Sequence, residues 1–456
     1  MTPRVVLLIT AVCAGINAVI FAVGAPCYLL DFSELCNYPC QHDCEAALGL
    51  ARYGELVRVD DPTQPFVTWP PVWGFVLYPF LALTNESSVL GGVVLNILIL
   101  YGSALLVGHL VENDVRGYGI WAMMLVLFNP NAIAIAHLPR GETANAALIA
   151  VAFVILFYYL QRRNLRLALA LGVVLGFATL FRPNTQYLVV LLPIVLATLV
   201  FLGGFRRWPA RPFLHGVAAL VAAAAVMSPW LYYMTVNGQT LRLASYDKEY
   251  EYFSKNVGVI DSYRQGLSMI VPTMEPYLAR ENTELVAATS EWDQLDRNEQ
   301  VKRRLAFARH VFFSQDPADY VVPVIHSAAR FFLTGGEGYL NLSLKLEGDL
   351  ADPDSRVTRV GLVVTEILGK GFALATRVLG LLGVIYLIWR RDYAVLALIL
   401  GAAAYFMGTA LLVGFSRFRL QVDVPLLVLA TYGLAYVGQR WQNRKSRSEA
   451  ISPLRS

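Results

Sequence analysis

Only 15% of this 456-residue chain is charged, so the residues able to do polar chemistry are few and their placement is informative. Asp31, Glu34, Asp43 and Glu45 crowd into one stretch near the N-terminus. Glu142 follows His137 and Arg140 in a short polar break, and Arg182, Arg417 and Arg419 sit at the ends of long apolar runs. A carboxylate can act as general base toward a hydroxyl nucleophile. A guanidinium stays protonated and grips phosphate in two-point fashion. Asp43 opens a short amphipathic stretch, Asp43-Cys-Glu45-Ala-Ala-Leu-Gly-Leu-Ala51-Arg-Tyr53-Gly54, where an acid is also a favourable partner for the helix dipole. Four of the 5 cysteines, Cys27, Cys36, Cys40 and Cys44, fall in the same region. On an oxidising side they read as two disulfides with three possible pairings; the rival is a zinc site of Cys36, Cys40, His42 and Cys44. Either would brace the segment that presents Asp43. Cys13 lies within an apolar run and reads as a core thiol.

The elements that must carry these residues follow from composition. The chain is 56% hydrophobic with a mean hydropathy of +0.51, whereas a soluble protein carries about a quarter of its residues as charges. It is therefore expected to be an all-α polytopic membrane protein. A net charge of +4 is too small for nucleic-acid binding. Apolar runs long enough to cross the bilayer occupy 5–24, 89–111, 118–137, 144–160, 167–181, 187–202, 214–234, 371–389, 393–414 and 420–437, giving about ten transmembrane helices. The run 67–83 is short and broken by Pro70, Pro71 and Pro79, which suits an interfacial segment.

Leaving 67–83 out of the count puts Arg4, the arginines at 162–166 and 206–211, Arg390, Arg391 and the basic residues of 440–447 on one side. By the positive-inside rule that side is cytoplasmic, with both termini. The expected organisation is an N-terminal transmembrane module (1–234) with a first outer loop at 25–88, and an extracytoplasmic helical region (235–370). C-terminal transmembrane helices (371–437) and a basic cytoplasmic tail (438–456) follow. Within the outer region, 320–333 carries His326 and Arg330 and is expected to lie along the membrane surface, and Tyr246, Tyr250, Tyr252, Tyr263 and Tyr277 are candidates for stacking on a ligand. Arg140, Arg182, Arg417 and Arg419 then lie in short outer loops, against the usual charge bias, which points to something anionic held there.

Several motifs in this order resemble the glycosyltransferase-C superfamily, the polyprenyl-phosphate-sugar-dependent enzymes that include protein O-mannosyltransferase-like and aminoarabinose-transferase-like members. They are the Asp43 segment with Pro70-Pro71 behind it; His137-Leu-Pro-Arg140-Gly-Glu142; Gly172 to Gly176 leading into Arg182-Pro183; Ser228-Pro229-Trp230; and Ser416-Arg417-Phe418-Arg419 before Pro425. One departure is Cys44, which stands directly after the first-loop Asp where the family often has an acid. The resemblance implies an inverting transfer of a sugar from a polyprenyl-phosphate donor to a hydroxyl of a glycan, lipid or protein on the extracytoplasmic face of a bacterial inner membrane. It implies Asp43 as general base, Glu142 as a second acid, and Arg182 with Arg417 as a phosphate clamp. Arg419, Arg140 and His137 are further phosphate-site candidates, and Asp31 and Glu45 are rival bases. A divalent cation held by Asp43, Glu45 and Glu142 is an open alternative. The competing classes are a transporter or flippase of a polyprenyl-linked saccharide, which would place charges at midplane, and a non-catalytic assembly subunit.

Overall fold

In lipid every backbone N–H and C=O must be bonded within its own segment, and the apolar runs accordingly fold as helices. The computed structural model describes residues 3–24, 41–204, 210–238, 240–267, 274–289, 291–344, 346, 355–410, 412 and 416–451. The first half contains α1 (Pro3–Gly24), α2 (Gln41–Tyr53), α3 (Val72–Leu83), α4 (Leu90–Asp114), α5 (Gly119–Leu127), α6 (Pro130–Ala136), α7 (Glu142–Arg162), α8 (Leu165–Phe181), α9 (Gln186–Leu202) and α10 (Ala210–Asn237). The second contains α11 (Tyr246–Arg264), α12 (Glu275–Glu281), α13 (Arg297–Phe313), α14 (Ala318–Leu333), α15 (Glu337–Ser343), α16 (Arg356–Trp389), α17 (Tyr393–Ala410) and α18 (Ser416–Ile451).

Among the described residues, 8 helices are long and apolar enough to cross a membrane, or 9 if α5 and α6 form one span. Those two are bent by 53°, because Asn129 caps α6 by accepting from the Asn131 N–H and Pro130 opens it. The helix α8 has 17 residues, about 26 Å at 1.5 Å per residue, a little under the roughly 30 Å of hydrocarbon. The protein is thus an all-α polytopic membrane protein, and each of the apolar runs read from sequence carries helix among the described residues, 118–137 as the two helices α5 and α6. The 67–83 run yields only the 12-residue α3, starting after Pro71, too short to cross.

Two boundaries differ from expectation. The run 371–389 is only the second half of α16, whose 34 residues begin at Arg356, and the basic tail continues α18 as helix to Ile451. In both cases the predicted edge holds a glycine, Gly371 or Gly438, but no proline, and neither a lone glycine nor polarity is enough to end the helix.

Close backbone approach holds the bundle together. A Cβ at Gly172 of α8 would stand 2.0 Å from the Ala219 carbonyl oxygen of α10, and one at Gly383 of α16 would stand 2.0 Å from that of Leu429 of α18. Small residues at such crossings do in lipid what apolar burial does in water. At one end of the bundle the Arg390 guanidinium takes Asp114 at 3.0 and 3.3 Å, joining the ends of α16 and α4. Asn96 lies 18 residues before Asp114 on the same helix, about 27 Å away along it, and that distant end carries the polar cluster described next. Of the helices between α10 and α16, α11, α12 and α13 share a core of Val257, Ile260, Tyr277 and Phe312. The helix α14 buries Pro323, Ser327 and Phe331 and leaves Val321, Val324 and Ile325 exposed.

Candidate active site

Asp43 stands in the first turn of α2, and α2 is seated on α3 through a close contact. A Cβ at Gly74 would meet Ala46 Cβ at 2.7 Å and the Asp43 carbonyl oxygen at 3.3 Å. Trp73, Leu77, Ala47 and Cys44 fill the interface. Cys44 is disulfide-bonded, which takes it out of the zinc set and supports the bracing role. Cys27, Cys36 and Cys40, the rival base Asp31 and the His42 side chain lie outside the described residues. Cys13 is a buried free thiol, as expected.

The loop after α6 is held by its carbonyls. Asn96 of α4 donates to the Leu138 oxygen at 2.8 Å and the Arg140 oxygen at 3.0 Å. The Trp73 indole N–H donates to the Pro139 oxygen at 3.1 Å, and Gly141 N–H donates to Asp43 Oδ2 at 3.4 Å. This grip aims Glu142, the first residue of α7, toward Asp43. Arg182 comes from a third direction: it ends α8 in extended backbone (φ −148, ψ 111), a conformation that the following Pro183 favours.

These segments meet on one guanidinium. Arg182 Nη2 lies 3.0 Å from Asp43 Oδ2 and 2.8 Å from Glu142 Oε2. Asp43, Arg140 and Glu142 are 7%, 7% and 8% exposed. Arg140 and Arg417 also act on the charge of Glu142, and Arg140 on that of Asp43. Burial pushes the Asp43 carboxyl above its usual range; Arg182 opposes this and the negative charge of Glu142 adds to it. The expected site residues Asp43, Glu142, Arg182, Arg140 and Arg417 are thus brought together from four separate segments.

Others are not. Arg419 is 2% exposed and is spent elsewhere: Nε donates to Asp423 Oδ1 at 2.7 Å, and Nη1 donates to the Phe331 and Thr334 oxygens at 2.8 and 2.5 Å. Two residues on from Arg417 it points about 200° round the helix, so Arg419, a further phosphate-site candidate, does not join Arg417. Asp423 also accepts from Asn129 and Asn131, each at 3.0 Å, with Arg377 Nη2 at 3.6 Å. His137 places Nε2 3.0 Å from Asn17 Oδ1 and packs edge-on against Phe21, tying α1 to the loop. Glu45, likewise two residues from Asp43, turns to Arg58 at 3.9 Å. Asp43, Glu45 and Glu142 therefore do not converge as a divalent-cation set, and among the described residues no three acidic, His or Cys side chains do. The cation between Asp43 and Glu142 is Arg182. Of the tyrosines read as stacking candidates, Tyr277 is core and Tyr250 donates to Glu281 at 2.6 Å.

Sequence reasoning missed Asn96, Arg377 and Asp423. The available signal was an ionisable or amide side chain inside an apolar run, which in a membrane protein marks a polar contact. Asn96→Leu is expected to strand the two carbonyls it satisfies and to lower stability by about 2 kcal/mol or more. Thermal unfolding in detergent checks this, and an unchanged midpoint would show that the loop is held by other means.

No family model matches the chain, and no curated protein matches its sequence. Among solved structures, the oligosaccharyltransferase AglB from Archaeoglobus fulgidus, in complex with an inhibitory peptide and a dolichol-phosphate, aligns at 15% identity with a TM-score of 0.45, over 96% of this chain and 52% of its own. ArnT from Cupriavidus metallidurans, in the apo state, aligns at 17% identity with a TM-score of 0.39, over 93% of this chain and 77% of its own. The chain spans about half the length of the first of these.

Proposed function

We propose that this protein is a membrane glycosyltransferase that moves a sugar from a polyprenyl-phosphate donor to an acceptor hydroxyl, with inversion at the anomeric carbon. The observation that carries the reading is the meeting of Asp43 and Glu142, two buried carboxylates from separate loops, on the single nitrogen Arg182 Nη2. Asp43, with its carboxyl pushed up by burial, is matched to general-base work near neutral pH. It takes the proton of the acceptor hydroxyl as that oxygen attacks the anomeric carbon. The bond from that carbon to the phosphate oxygen breaks, and its electron pair leaves with the polyprenyl phosphate. Glu142 orients the acceptor, and Arg140 and Arg417 stabilise the charge on the departing phosphate. Three guanidinium groups against two carboxylates leave the cluster one positive charge in surplus, which matches an anionic donor.

The basic ends of the spans, including Arg162, Arg163, Arg390 and Arg391, argue for a cytoplasmic face opposite the cluster and an extracytoplasmic site. Both termini would then be cytoplasmic, in a bacterial inner membrane, with a glycan, lipid or protein as acceptor. The charges that a transporter would need within its spans are present in Arg377 and Asp423, but they bond to one another and to Asn129 and Asn131, which favours a structural tie. Membranes containing the protein are expected to transfer label from radiolabelled polyprenyl-phosphate sugars to an acceptor. Label that crosses the bilayer still attached to its polyprenyl carrier would favour the flippase instead.

A further inference from the structure

The catalytic pair accounts for one nitrogen of Arg182 and leaves others unspent. Among the described residues, Arg182 Nε, Trp69 Nε1 and Ser245 Oγ are all buried with no hydrogen-bond partner. They are contiguous. The Arg182 guanidinium lies against the Trp69 ring, its Cζ 5.6 Å from the ring centroid, and Ser245 N–H donates to the oxygen of Thr68, the residue before Trp69, at 3.3 Å. Buried donors without acceptors are rare in native proteins and mark a place where water or a ligand completes the bonding. Trp69 sits directly before Pro70-Pro71, whose restricted backbone fixes where the indole is held.

We propose that Trp69 Nε1–H and Arg182 Nε–H form the seat for the phosphate of the lipid-linked donor, Trp69 being a substrate-contacting residue. The proposal rests on the glycosyltransferase reading and adds a residue to its donor site. Both groups are donors only, so their complement is a group made of acceptors. A phosphodiester or phosphomonoester offers several bare oxygens to the two donors at once, whereas a sugar hydroxyl offers a single oxygen. One of the two donors is permanently cationic, which also selects an anion. The carboxylates already occupy Nη2, so the phosphate is received at the Nε side of the same guanidinium. Arg182 thereby links the base to the leaving group and holds the two at a set spacing.

The test is binding of farnesyl monophosphate, with farnesol as the uncharged control, to the purified full-length chain in nanodiscs. Trp69→Phe keeps an aromatic ring beside Arg182 and removes the indole N–H together with the five-membered ring that carries it. It is expected to weaken farnesyl monophosphate about tenfold, a typical loss for a hydrogen bond to a charged group, and to leave farnesol unchanged. In transfer assays the KM for the donor rises while kcat is held. Wild-type affinity of Trp69→Phe for farnesyl monophosphate, or equal weakening toward farnesol, would each overturn the seat while leaving the glycosyltransferase reading standing. A wild-type protein that does not distinguish farnesyl monophosphate from farnesol would overturn the lipid-phosphate reading itself.

Discussion

Asp43→Asn is expected to reduce sugar transfer by about 10²–10⁴-fold, the usual contribution of a positioned general base, while the protein still folds and inserts. Asn has nearly the shape of Asp and keeps an oxygen that can accept from Gly141 N–H and Arg182, now bonded to Asp43 Oδ2 at 3.4 and 3.0 Å. Stability should not fall. A carboxyl whose pKa is raised on folding, as burial raises that of Asp43, contributes stability only when protonated, and that contribution is lost as pH rises through the folded pKa. At neutral pH the uncharged Asn is therefore matched to the site or better, and the melting temperature is expected to be equal or higher. The same shift predicts that wild-type transfer declines on acidification at a pH above the ordinary carboxylate range, as the base becomes protonated. Transfer assays across pH with thermal unfolding in parallel check all of this. Full activity of Asp43→Asn would move the base to Asp31 or Glu45.

Arg182→Gln is expected to be the more damaging change to the structure. It removes the cation that Asp43 Oδ2 and Glu142 Oε2 share at 3.0 and 2.8 Å and leaves two buried carboxylates facing one another. Breaking a buried pair by deleting one partner costs about 3–5 kcal/mol, and here one deletion strips two acids. Adding Asp43→Asn and Glu142→Gln to Arg182→Gln should recover part of the stability, since two buried carboxylates no longer face one another, but should recover no transfer. This cycle separates the part of Arg182 that holds the loops from the part that does chemistry. If Arg182→Gln alone unfolds at the wild-type temperature, the ion pairs are not what joins the loops.

The helical spans were legible because lipid permits so few solutions: an apolar run of sufficient length must be a helix. Asp43, Glu142, Arg182 and Arg417 were legible for a related reason. A charge beside a span is costly enough that its presence signals a use. Arg419, Glu45 and His137 passed the same filter and proved to be committed to Asp423, Arg58 and Asn17. Sequence spacing placed them in the right loops without showing which way each side chain turns, and two residues along a helix is enough to reverse that direction.

Composition and hydropathy by themselves determined that this is a helical membrane protein and put its scarce charges in a few loops, because those properties depend on neighbours along the chain and on the solvent. Which of the charges meet was decided only by tertiary structure. Asp43 and Glu142 are 99 residues apart and Arg182 lies 40 further on; no local rule relates them. They share one nitrogen because Gly74 lets α2 close on α3, Asn96 and Trp73 grip the 138–141 loop, and Pro183 turns Arg182 out of its helix.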